Sequence, residues 1–579
     1  MSFRFRFIKV KKHYFLLSSV VFFLIVISLL FGLRASSYNY YERIRFESSG
    51  ATIYANLFYP EAELSFQEKH PFVIFAHGLG SQKDLDPRIP LELTKRGFIV
   101  ASIDYRGDGE SSGHLLDINH ESYRNQTNIP AIAQDCSKLL DVIEKHPIYN
   151  LINSSQIGIV GHSLGGMVAL MTSTLDDRFK ATVTWAGLVN FSADFFGISE
   201  SNPFMDYIPA KIINTTNPKN LLLIQSIYDT TVPYNANAVL AQKLTNCELI
   251  NITYHIFGGP HYLFTDEVLI KTINWFEAKF FNSEIINGPI NLSYLESYVL
   301  LFLAIFGAFL TTIAIMVSLS HLFMIEKEKP SSSFNFKQKL SKKHIIKQSI
   351  KIISYFSGFL LIWILFFILM GIPGLIFAPI LIMIIYFIWI LGKYIITAEE
   401  KKEKIAIYIE SKLKEEIKSQ FKRNVLLYSI ITTLIFLGLY FSISLSYPFA
   451  FFSPINILSF ILTYTIYPFY LAIELFYRKV VYRDLDFIKS PVIKTLITAL
   501  MGITNLGILM RLSYDLFLIS AFYITFLIFL AVMILNSVIY EKTNKFSSVL
   551  LSSFIIIQIF FGSAVSVIFG FGSLARLIL

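Results

Sequence analysis

The sequence predicts a doubly wound, mostly parallel α/β sheet, followed by an all-α region of membrane-spanning helices. From Tyr41 to about residue 281, short apolar runs alternate with amphipathic ones, whereas beyond Pro289 the chain is almost continuously apolar. With 54% hydrophobic residues and 55 Phe among 579 residues, the chain is too apolar to consist only of soluble domains. These two hydropathy patterns therefore predict two structural regions with different surroundings.

The N-terminus predicts a basic cytoplasmic segment, residues 1–13, and a transmembrane signal anchor, residues 14–33. About 20 apolar residues at ~1.5 Å each span the ~30 Å hydrocarbon layer. More cations precede this run than follow it, which keeps the N-terminus in the cytoplasm. A cleaved signal peptide is the alternative, because small residues follow at 35–37. Under either interpretation the next domain, residues 41–284, is exported.

In the exported domain, the sequence pattern predicts strands and helices in an order typical of a sheet that is covered by helices on both faces. Short apolar runs predict strands at residues 44–47, 53–58, 72–76, 98–103, 157–160, 181–185, 221–226 and 250–256. Amphipathic runs predict helices at residues 90–95, 129–145, 164–175, 235–244 and 264–280. Antiparallel strands come first and strand–helix alternation follows, which gives a mostly parallel sheet.

A serine at a tight corner is the first candidate for chemistry. The stretch IGIVGHSLGGMVAL, residues 157–170, places Ser163 in a G-x-S-x-G pattern between a predicted strand and a predicted helix. In a nucleophile elbow this turn lifts the serine hydroxyl above the sheet, and the flanking glycines avoid collisions with neighbouring backbone. Ser163 is therefore the predicted nucleophile.

A serine nucleophile needs a histidine base and a carboxylate that orients it. Later strand ends supply both in the order Ser, Asp, His: Asp229 follows one strand, and His261 lies in the Gly-Gly-Pro loop after the next. His255 is the rival base, but it lies within a predicted strand. Asp266 is the rival acid, although a carboxylate at the start of a helix is already explained by the helix dipole.

Donors for the oxyanion are predicted from two backbone positions. The segment His77-Gly78-Leu79-Gly80 ends a strand, and its glycines let the Leu79 N–H point at the substrate beside the Leu164 N–H of the elbow. Each such donor typically lowers the barrier by about 2.7 to 4 kcal/mol. His77 is interpreted as shaping this loop and not as a base.

These residues resemble the alpha/beta-hydrolase superfamily over about residues 43–281. The segment SIDYRGDGESSG is similar to the Asp-x-Arg-Gly-x-Gly-x-Ser stretch of the dienelactone-hydrolase, prolyl-oligopeptidase and serine-aminopeptidase-like branches. Asp108 stands where many members have histidine. The resemblance implies an alpha/beta-hydrolase fold and a Ser-His-Asp triad that acts through an acyl-enzyme intermediate.

The sequence predicts the type of reaction more specifically than it predicts the substrate. A small cap near residues 187–218 carries aromatic side chains that either line an acyl pocket or pack the cap onto the sheet. A small-molecule or lipid ester is the first expectation, and a peptide, cleaved by a serine peptidase, is the alternative. No cofactor and no metal are expected, because Cys136 and Cys247 are the only cysteines and have no metal-ligand spacing.

The remainder, residues 297–579, predicts a membrane domain of about eight helices. The spans lie near residues 298–322, 352–370, 375–396, 425–445, 455–476, 492–510, 516–535 and 550–570. Alternate loops are rich in Lys and Arg, which places them in the cytoplasm and accounts for most of the net charge of +9. We therefore expect no nucleic-acid partner. A transporter or sensor with a hydrolase-like binding module is the alternative from another functional class.

The predicted topology makes this a multi-pass integral membrane protein with an extracytoplasmic hydrolase domain. The sequons agree with it, because all of them lie between the first and second spans, at Asn125, Asn153, Asn190, Asn214, Asn251 and Asn291. A glycoprotein is therefore expected, although an Asn-rich polar domain also collects such triplets by chance. The oligomeric state is left open by these patterns.

Overall fold

The chain divides into two compact units. The computed structural model describes residues 2–37, 40–60, 69–79, 81–83, 86, 88–253, 259–263, 265–281, 290–320, 342–370, 372–446, 467, 470–471, 473–485, 487–488, 490–512 and 532–556. Ile27–Phe302 holds the whole of the large sheet. The other unit draws its residues from Met1–Val26, Leu303–Ile443 and Ile457–Ser563 and is helical where it is described.

The sheet has eight strands, and most of them are parallel. They are β1 (Tyr40–Ser48), β2 (Ala51–Tyr59), β3 (His70–Ala76), β4 (Ile99–Asp104), β7 (Ile152–His162), β8 (Ala181–Trp185), β9 (Leu221–Ser226) and β10 (Glu248–Ile252). The order across the sheet is β1-β2-β4-β3-β7-β8-β9-β10, with β5 (Ile118–Asn119) and β6 (Ile129–Pro130) in a separate ribbon. Among the described residues of the eight-stranded sheet, only the pairs β1–β2 and β2–β4 are antiparallel, which confirms the predicted mostly parallel sheet.

Helices cover both faces of this sheet, as a doubly wound fold requires. The domain contains α2 (Arg88–Thr94), α3 (Ala131–Ile143), α4 (Leu164–Leu175), α5 (Pro209–Ile212), α6 (Leu240–Thr245), α7 (Gly259–Tyr262) and α8 (Asp266–Phe281), after the N-terminal α1 (Ser2–Ser37). One apolar cluster joins the sheet to α3 and α4, and a second joins it to α2 and α8. In α8 the buried Val268, Leu269, Thr272, Ile273 and Phe276 recur every three or four residues, which presents one apolar stripe.

The central strands carry residues that suit burial on both faces. β4 and β9 are buried along their whole length, as expected of parallel strands between two helical layers. The carboxyl ends of β3, β7 and β9 lie at the same edge of the sheet because these strands run in parallel. That edge therefore gathers the loops that follow the three strands, where ligands bind in open α/β sheets.

The boundaries of several elements differ from the predicted ones. α4 has the predicted bounds, but β7 extends well beyond residues 157–160 because it pairs with β3 on one side and β8 on the other. The predicted helix 235–244 is a π-helical turn, Asn235–Val239, continued by α6. Of the strand predicted at 250–256, β10 contains the first part, and residues 254–258 lie outside the described residues.

Long apolar helices follow the sheet domain. They are α9 (Tyr294–Leu319), α10 (Lys342–Met370), α11 (Ile372–Glu400) and α13 (Arg423–Ser446), with the amphipathic α12 (Ile405–Gln420) before the last. Within the described residues, five helices are long and apolar enough to cross a membrane: Tyr14–Leu33, Tyr294–Leu319, Lys342–Met370, Ile380–Glu400 and Arg423–Ile443. They overlap the predicted signal anchor and the next four predicted spans.

Membrane crossing stays a prediction for every one of these spans and for the remaining ones. Residues 492–510 lie within the helix Pro491–Leu512, whereas the spans 455–476, 516–535 and 550–570 fall largely on residues outside the described ranges. Inside the helical unit, the buried Arg478 donates from Nε to Glu474 Oε2 at 2.9 Å, so the two charges neutralise each other. Asn536 and Tyr470 donate to the same carboxylate at its other oxygen.

Candidate active site

Ser163 occupies a strained turn between β7 and α4. Its backbone has φ 54° and ψ −116°, a combination that non-glycine residues rarely adopt and that costs of order 1–3 kcal/mol. The neighbouring strand holds it there, because the Ser163 N–H donates to the Trp185 carbonyl at 2.8 Å. Gly161 and Gly165 leave room for the turn: a Cβ at Gly161 would lie 2.0 Å from the Gly165 carbonyl oxygen, and one at Gly165 would lie 2.2 Å from that of Ala76.

The structure brings His261 to the serine hydroxyl. His261 lies in α7, and its Nε2 is 2.9 Å from Ser163 Oγ, while its Nδ1 is 2.9 Å from Asp229 Oδ2. Because a carboxylate only accepts hydrogen bonds, Nδ1 carries the proton that it donates to Asp229, and Nε2 presents its lone pair to the serine O–H. The three residues form one hydrogen-bonded chain.

Asp229 is held rigidly in the loop after β9. Its side chain is fully buried, and Oδ1 accepts hydrogen bonds from the Thr231 and Val232 N–H groups at 2.9 and 3.0 Å. Gln225 Nε2 lies 3.3 Å from Oδ2, the oxygen that also faces His261. These donors fix the orientation of the carboxylate toward the imidazole.

The predicted oxyanion donors lie on both sides of Ser163. Leu164 is the first residue of α4, so its N–H has no carbonyl partner within the helix. Leu79 lies in the loop after β3 and is 52% exposed. Its neighbour Gly78 packs directly on the elbow, because a Cβ there would lie 3.4 Å from Ser163 Cβ. The arrangement is suited to an oxyanion hole, and the role of the two N–H groups remains a prediction.

His77 lies in a loop-shaping position and not beside the nucleophile's base. It is buried, its Nδ1 donates to the Gly78 carbonyl at 2.8 Å, and its ring stacks on Tyr105 with centroids 4.4 Å apart. Burial alone would lower the pKa of His77, but the carboxylates of Asp104 and Asp108 raise it above its usual value. The imidazole thus ties the start of the oxyanion loop to the loop after β4.

A buried carboxylate, Asp104, anchors the same loop. It accepts hydrogen bonds from the Lys83 N–H at 2.6 Å, from Lys83 Nζ at 2.9 Å and from the Glu110 N–H at 3.0 Å. Lys83 Nζ also donates to Glu110 Oε2 at 2.7 Å. Burial alone would raise the pKa of Asp104, but Lys83 and then His77 hold it well below its usual range. The charges therefore join the loop of Leu79 to that of residues 105–111.

The cap predicted near residues 187–218 consists of short helical turns. These are the 3-10 turns Ala193–Phe196 and Pro203–Asp206, followed by α5. Phe204 is buried in the main core and the partly buried Phe191 and Phe196 pack against that core, so these aromatic residues hold the cap on the sheet. Phe195, by contrast, is 59% exposed. An acyl pocket at the cap remains a prediction for the residues that are not fully buried.

The alternative acid, Asp266, lies in other surroundings, and the alternative base, His255, lies outside the described residues. Asp266 begins α8 and accepts a hydrogen bond from the Tyr294 hydroxyl, while His255 lies outside the described residues. Cys136 and Cys247 are free thiols. Within the described part of the chain, no group of three or more His, Cys, Asp or Glu side chains is placed to hold a metal ion.

Sequence patterns alone missed the residues that support the triad. Gln225 contacts Asp229 from four residues earlier in the chain, Lys83 and Asp104 bond across 21 residues, and His162 donates from Nε2 to the His261 carbonyl at 2.9 Å. Asp104 is the first residue of the Asp-x-Arg-Gly stretch. The motif therefore indicates the loop of Asp104 but does not indicate its partner Lys83. The sequence indicates a supporting role for His162 only through its position directly before Ser163.

A family model and several known proteins match this region. The model of the prolyl oligopeptidase family matches residues 88–267, which contain Ser163, Asp229 and His261. Bovine (Bos taurus) platelet-activating factor acetylhydrolase is 28% identical over 159 residues, which cover 21% of this chain and 36% of that protein. The chain thus spans about a third of the length of the first curated relatives that it matches.

Solved structures match the same domain. The alpha/beta hydrolase GrgF from Penicillium sp. sh18 is 15% identical, covers 42% of this chain and 99% of its own, and has a TM-score of 0.33. The acylaminoacyl peptidase of Pyrococcus horikoshii is 18% identical, with 44% of this chain and 43% of its own covered and a TM-score of 0.33. The sheet domain thus has the strand order of a doubly wound α/β fold, and by its family match and its hydrolase relatives it is similar to serine hydrolases.

Proposed function

We propose that this protein is a membrane-anchored, extracytoplasmic carboxylic-ester hydrolase that acts through Ser163, His261 and Asp229. The observation that carries the proposal is the continuous hydrogen-bonded chain from Ser163 Oγ through the imidazole to the Asp229 carboxylate, with 2.9 Å at both steps. This is the geometry by which a serine alcohol is activated as a nucleophile. No cofactor takes part in the proposed reaction.

The chemistry follows from the geometry. Ser163 Oγ attacks the ester carbonyl carbon while its proton passes to His261 Nε2, and Asp229 stabilises the imidazolium that forms. The N–H groups of Leu79 and Leu164 receive the negative charge on the carbonyl oxygen. As the carbon–oxygen bond breaks, His261 returns the proton to the leaving alcohol. Water then attacks the acyl-enzyme while its proton passes to His261 Nε2. His261 returns this proton to Ser163 Oγ as the acid is released.

Exposed apolar side chains on the loops of this edge support an ester with an apolar part. Leu79 follows β3, Phe195 lies in the cap after β8, and Ile227 and Tyr228 follow β9; they are 52%, 59%, 41% and 57% exposed. We call these four residues the apolar rim. An apolar rim favours a hydrocarbon-bearing substrate over a charged amine. The resemblance to an acetylhydrolase of platelet-activating factor agrees with an ester.

A serine peptidase is the second candidate, because the family model that matches the domain is that of the prolyl oligopeptidase family. A peptide amide needs the same nucleophile and base, so the triad does not discriminate between the two. The leaving group does: His261 would protonate an amine instead of an alcohol. The two candidates are therefore separated by substrate preference.

The test is labelling with a fluorophosphonate, followed by turnover of p-nitrophenyl esters and of aminoacyl p-nitroanilides. We expect labelling of the wild-type protein, none of Ser163→Ala, and ester turnover without amide turnover. Amide turnover that exceeds ester turnover would establish the peptidase. A Ser163→Ala protein that retains labelling and activity would leave the domain as a binding module in a transporter or sensor.

We also propose that the protein spans the membrane and exposes the hydrolase outside the cytoplasm. The support is the apolar length of five described helices together with the basic loops between predicted spans. An anchored enzyme of this kind would meet esters that are dissolved in, or adsorbed to, the bilayer.

A further inference from the structure

His162 occupies a point where three functional segments meet. It is the last residue of β7, directly before Ser163. Its Nε2 lies 2.9 Å from the carbonyl oxygen of His261, and the two rings are 5.2 Å apart. On its other side the ring contacts the oxyanion loop, because a Cβ at Gly78 would come within 2.8 Å of Nδ1. One imidazole thus touches the loops that carry the base and the oxyanion donors.

The partner atoms determine how His162 is protonated. A backbone carbonyl only accepts, so Nε2 must carry the hydrogen. Burial, followed by the nearby charges of His261 and Arg88, lowers the pKa of His162 to about 4, while the bond to the His261 carbonyl and the charge of Asp86 oppose this shift. Near neutral pH the ring is therefore neutral, with a hydrogen on Nε2 and a lone pair on Nδ1.

Neutrality matters because His261 must become positively charged during the reaction. A cation about 5 Å from the imidazolium would disfavour it and make His261 a weaker base. A neutral donor holds the His261 backbone without this cost. The same ring, packed on Gly78, keeps the oxyanion loop at a fixed distance from the histidine loop.

We propose that His162 is a positioning residue of the hydrolase, which fixes the His261 loop against the nucleophile elbow through a neutral Nε2–H donor. This inference rests on the proposed triad, through which it acts. The His162 ring touches the two loops and not the reacting atoms. Its removal should therefore lower kcat and leave KM for a small ester nearly unchanged.

Three substitutions separate the donor, the shape and the charge. His162→Gln keeps a neutral amide donor near the position of Nε2 and should retain at least about half of the wild-type kcat. His162→Phe keeps a ring but cannot donate, and loss of one hydrogen bond of about 1.4 kcal/mol should lower kcat about tenfold. His162→Lys places a cation beside His261 and should move the acid limb of the kcat/KM profile to lower pH.

The matched control is His120→Phe, an exposed histidine bonded to Asn128, which should change neither kcat nor the pH profile. Thermal unfolding of each variant identifies any that fail to fold, and fluorophosphonate labelling counts the active sites. Wild-type kcat in a folded His162→Phe would overturn the inference, as would His162→Gln being as slow as His162→Phe. Inactivity of the wild-type protein on every ester would instead contradict the proposed function.

Discussion

The carboxylate of Glu92 accepts hydrogen bonds from the N–H groups of Ser293 and Tyr294, at 2.6 and 2.8 Å, at the point where α9 begins. Glu92 is fully buried in α2, and its other oxygen accepts from Arg96 at 2.8 Å. It therefore caps a helix that starts 202 residues later in the chain. A helix of the sheet domain and the first turn of α9 therefore share one buried carboxyl group.

Glu92→Ala should destabilise the protein, because it leaves buried N–H groups without an acceptor. We expect a loss of about 1–3 kcal/mol, seen as a lower Tm of the purified full-length chain. The control is Glu277→Ala, since Glu277 lies 4.0 Å from the same arginine and is partly exposed. Equal Tm values for the two variants would show that the cap contributes nothing measurable.

The triad should fail as a unit. Ser163→Ala and His261→Ala should each lower kcat by on the order of 10⁴–10⁶, and the double variant should lose little more. Asp229→Asn should cost roughly 10⁴, because an Asn whose oxygen stays at the Oδ1 position turns its NH2 group toward His261 Nδ1, donates to it and favours the wrong tautomer. Steady-state kinetics on the best ester checks all four proteins. Fully additive losses in the double variant would contradict a shared role.

The Tm of Asp229→Asn should stay close to that of the wild type. The Asn oxygen can still accept from the Thr231 and Val232 N–H groups, which bond to Oδ1 of the native residue. The measurement is thermal unfolding in parallel with kinetics. A large fall in Tm would indicate that the carboxylate is mainly structural.

Asp104→Asn should destabilise the oxyanion loop at neutral pH and less so in acid. Its pKa is depressed in the folded protein, so its contribution is complete above about pH 4, the unfolded value, and is lost as pH falls toward the folded value. Removing the charge leaves Lys83 with fewer partners in the interior and should cost about 3–5 kcal/mol at pH 7.

Urea unfolding at pH 7, 5 and 3 checks this, because the gap between the wild type and Asp104→Asn should narrow only below about pH 4. Asp117→Asn is the control, since Asp117 is 41% exposed and lies 3.5 Å from its arginine partner. A gap that is constant across all three pH values would mean that the charge of Asp104 does not stabilise the fold.

The apolar rim should select long acyl or alkyl chains. Phe195→Ser and Tyr228→Ser should each lower kcat/KM about fivefold to thirtyfold on a dodecanoate ester, corresponding to about 1–2 kcal/mol of lost apolar contact, and change acetate turnover less than about twofold. Phe281→Ser, at the end of α8 and 48% exposed, is the matched control. Parallel losses on both esters would assign these residues to general stability.

The membrane topology predicts where a protease can cut. In intact cells, a membrane-impermeant protease should cleave within residues 41–289 and spare residues 327–347, because only the first region is predicted to lie outside the cytoplasm. Mass spectrometry of the fragments locates the cuts. Cleavage in residues 327–347 with protection of the hydrolase domain would reverse the orientation.

The sequence predicted the order of the sheet domain well because apolar periodicity reports burial directly. α4 follows its predicted bounds, since glycine and serine mark its start and a strand precedes it. β7 is longer than its apolar core because it pairs with β3 already at Ile152 and with β8 as far as His162. Local hydropathy contains no information about such neighbours.

The contacts that support the site could not be read from the sequence. A buried lysine such as Lys83 looks like any surface lysine until the fold brings Asp104 and Glu110 around it. Glu92 meets Tyr294 only because two helices far apart in sequence converge. By contrast, Ser163, His261 and Asp229 lie at strand ends, where a known strand order already implies proximity.

Gly165 sets how closely the elbow approaches the loop after β3. A Cβ at this position would lie 2.2 Å from the Ala76 carbonyl oxygen and 2.3 Å from that of His77, so α4 rests backbone against backbone on the residues that lead to Leu79. The Leu164 N–H moves with α4, and the Leu79 N–H moves with that loop. The absence of a side chain at this one position therefore sets the distance between the two N–H groups that are predicted to bind the oxyanion.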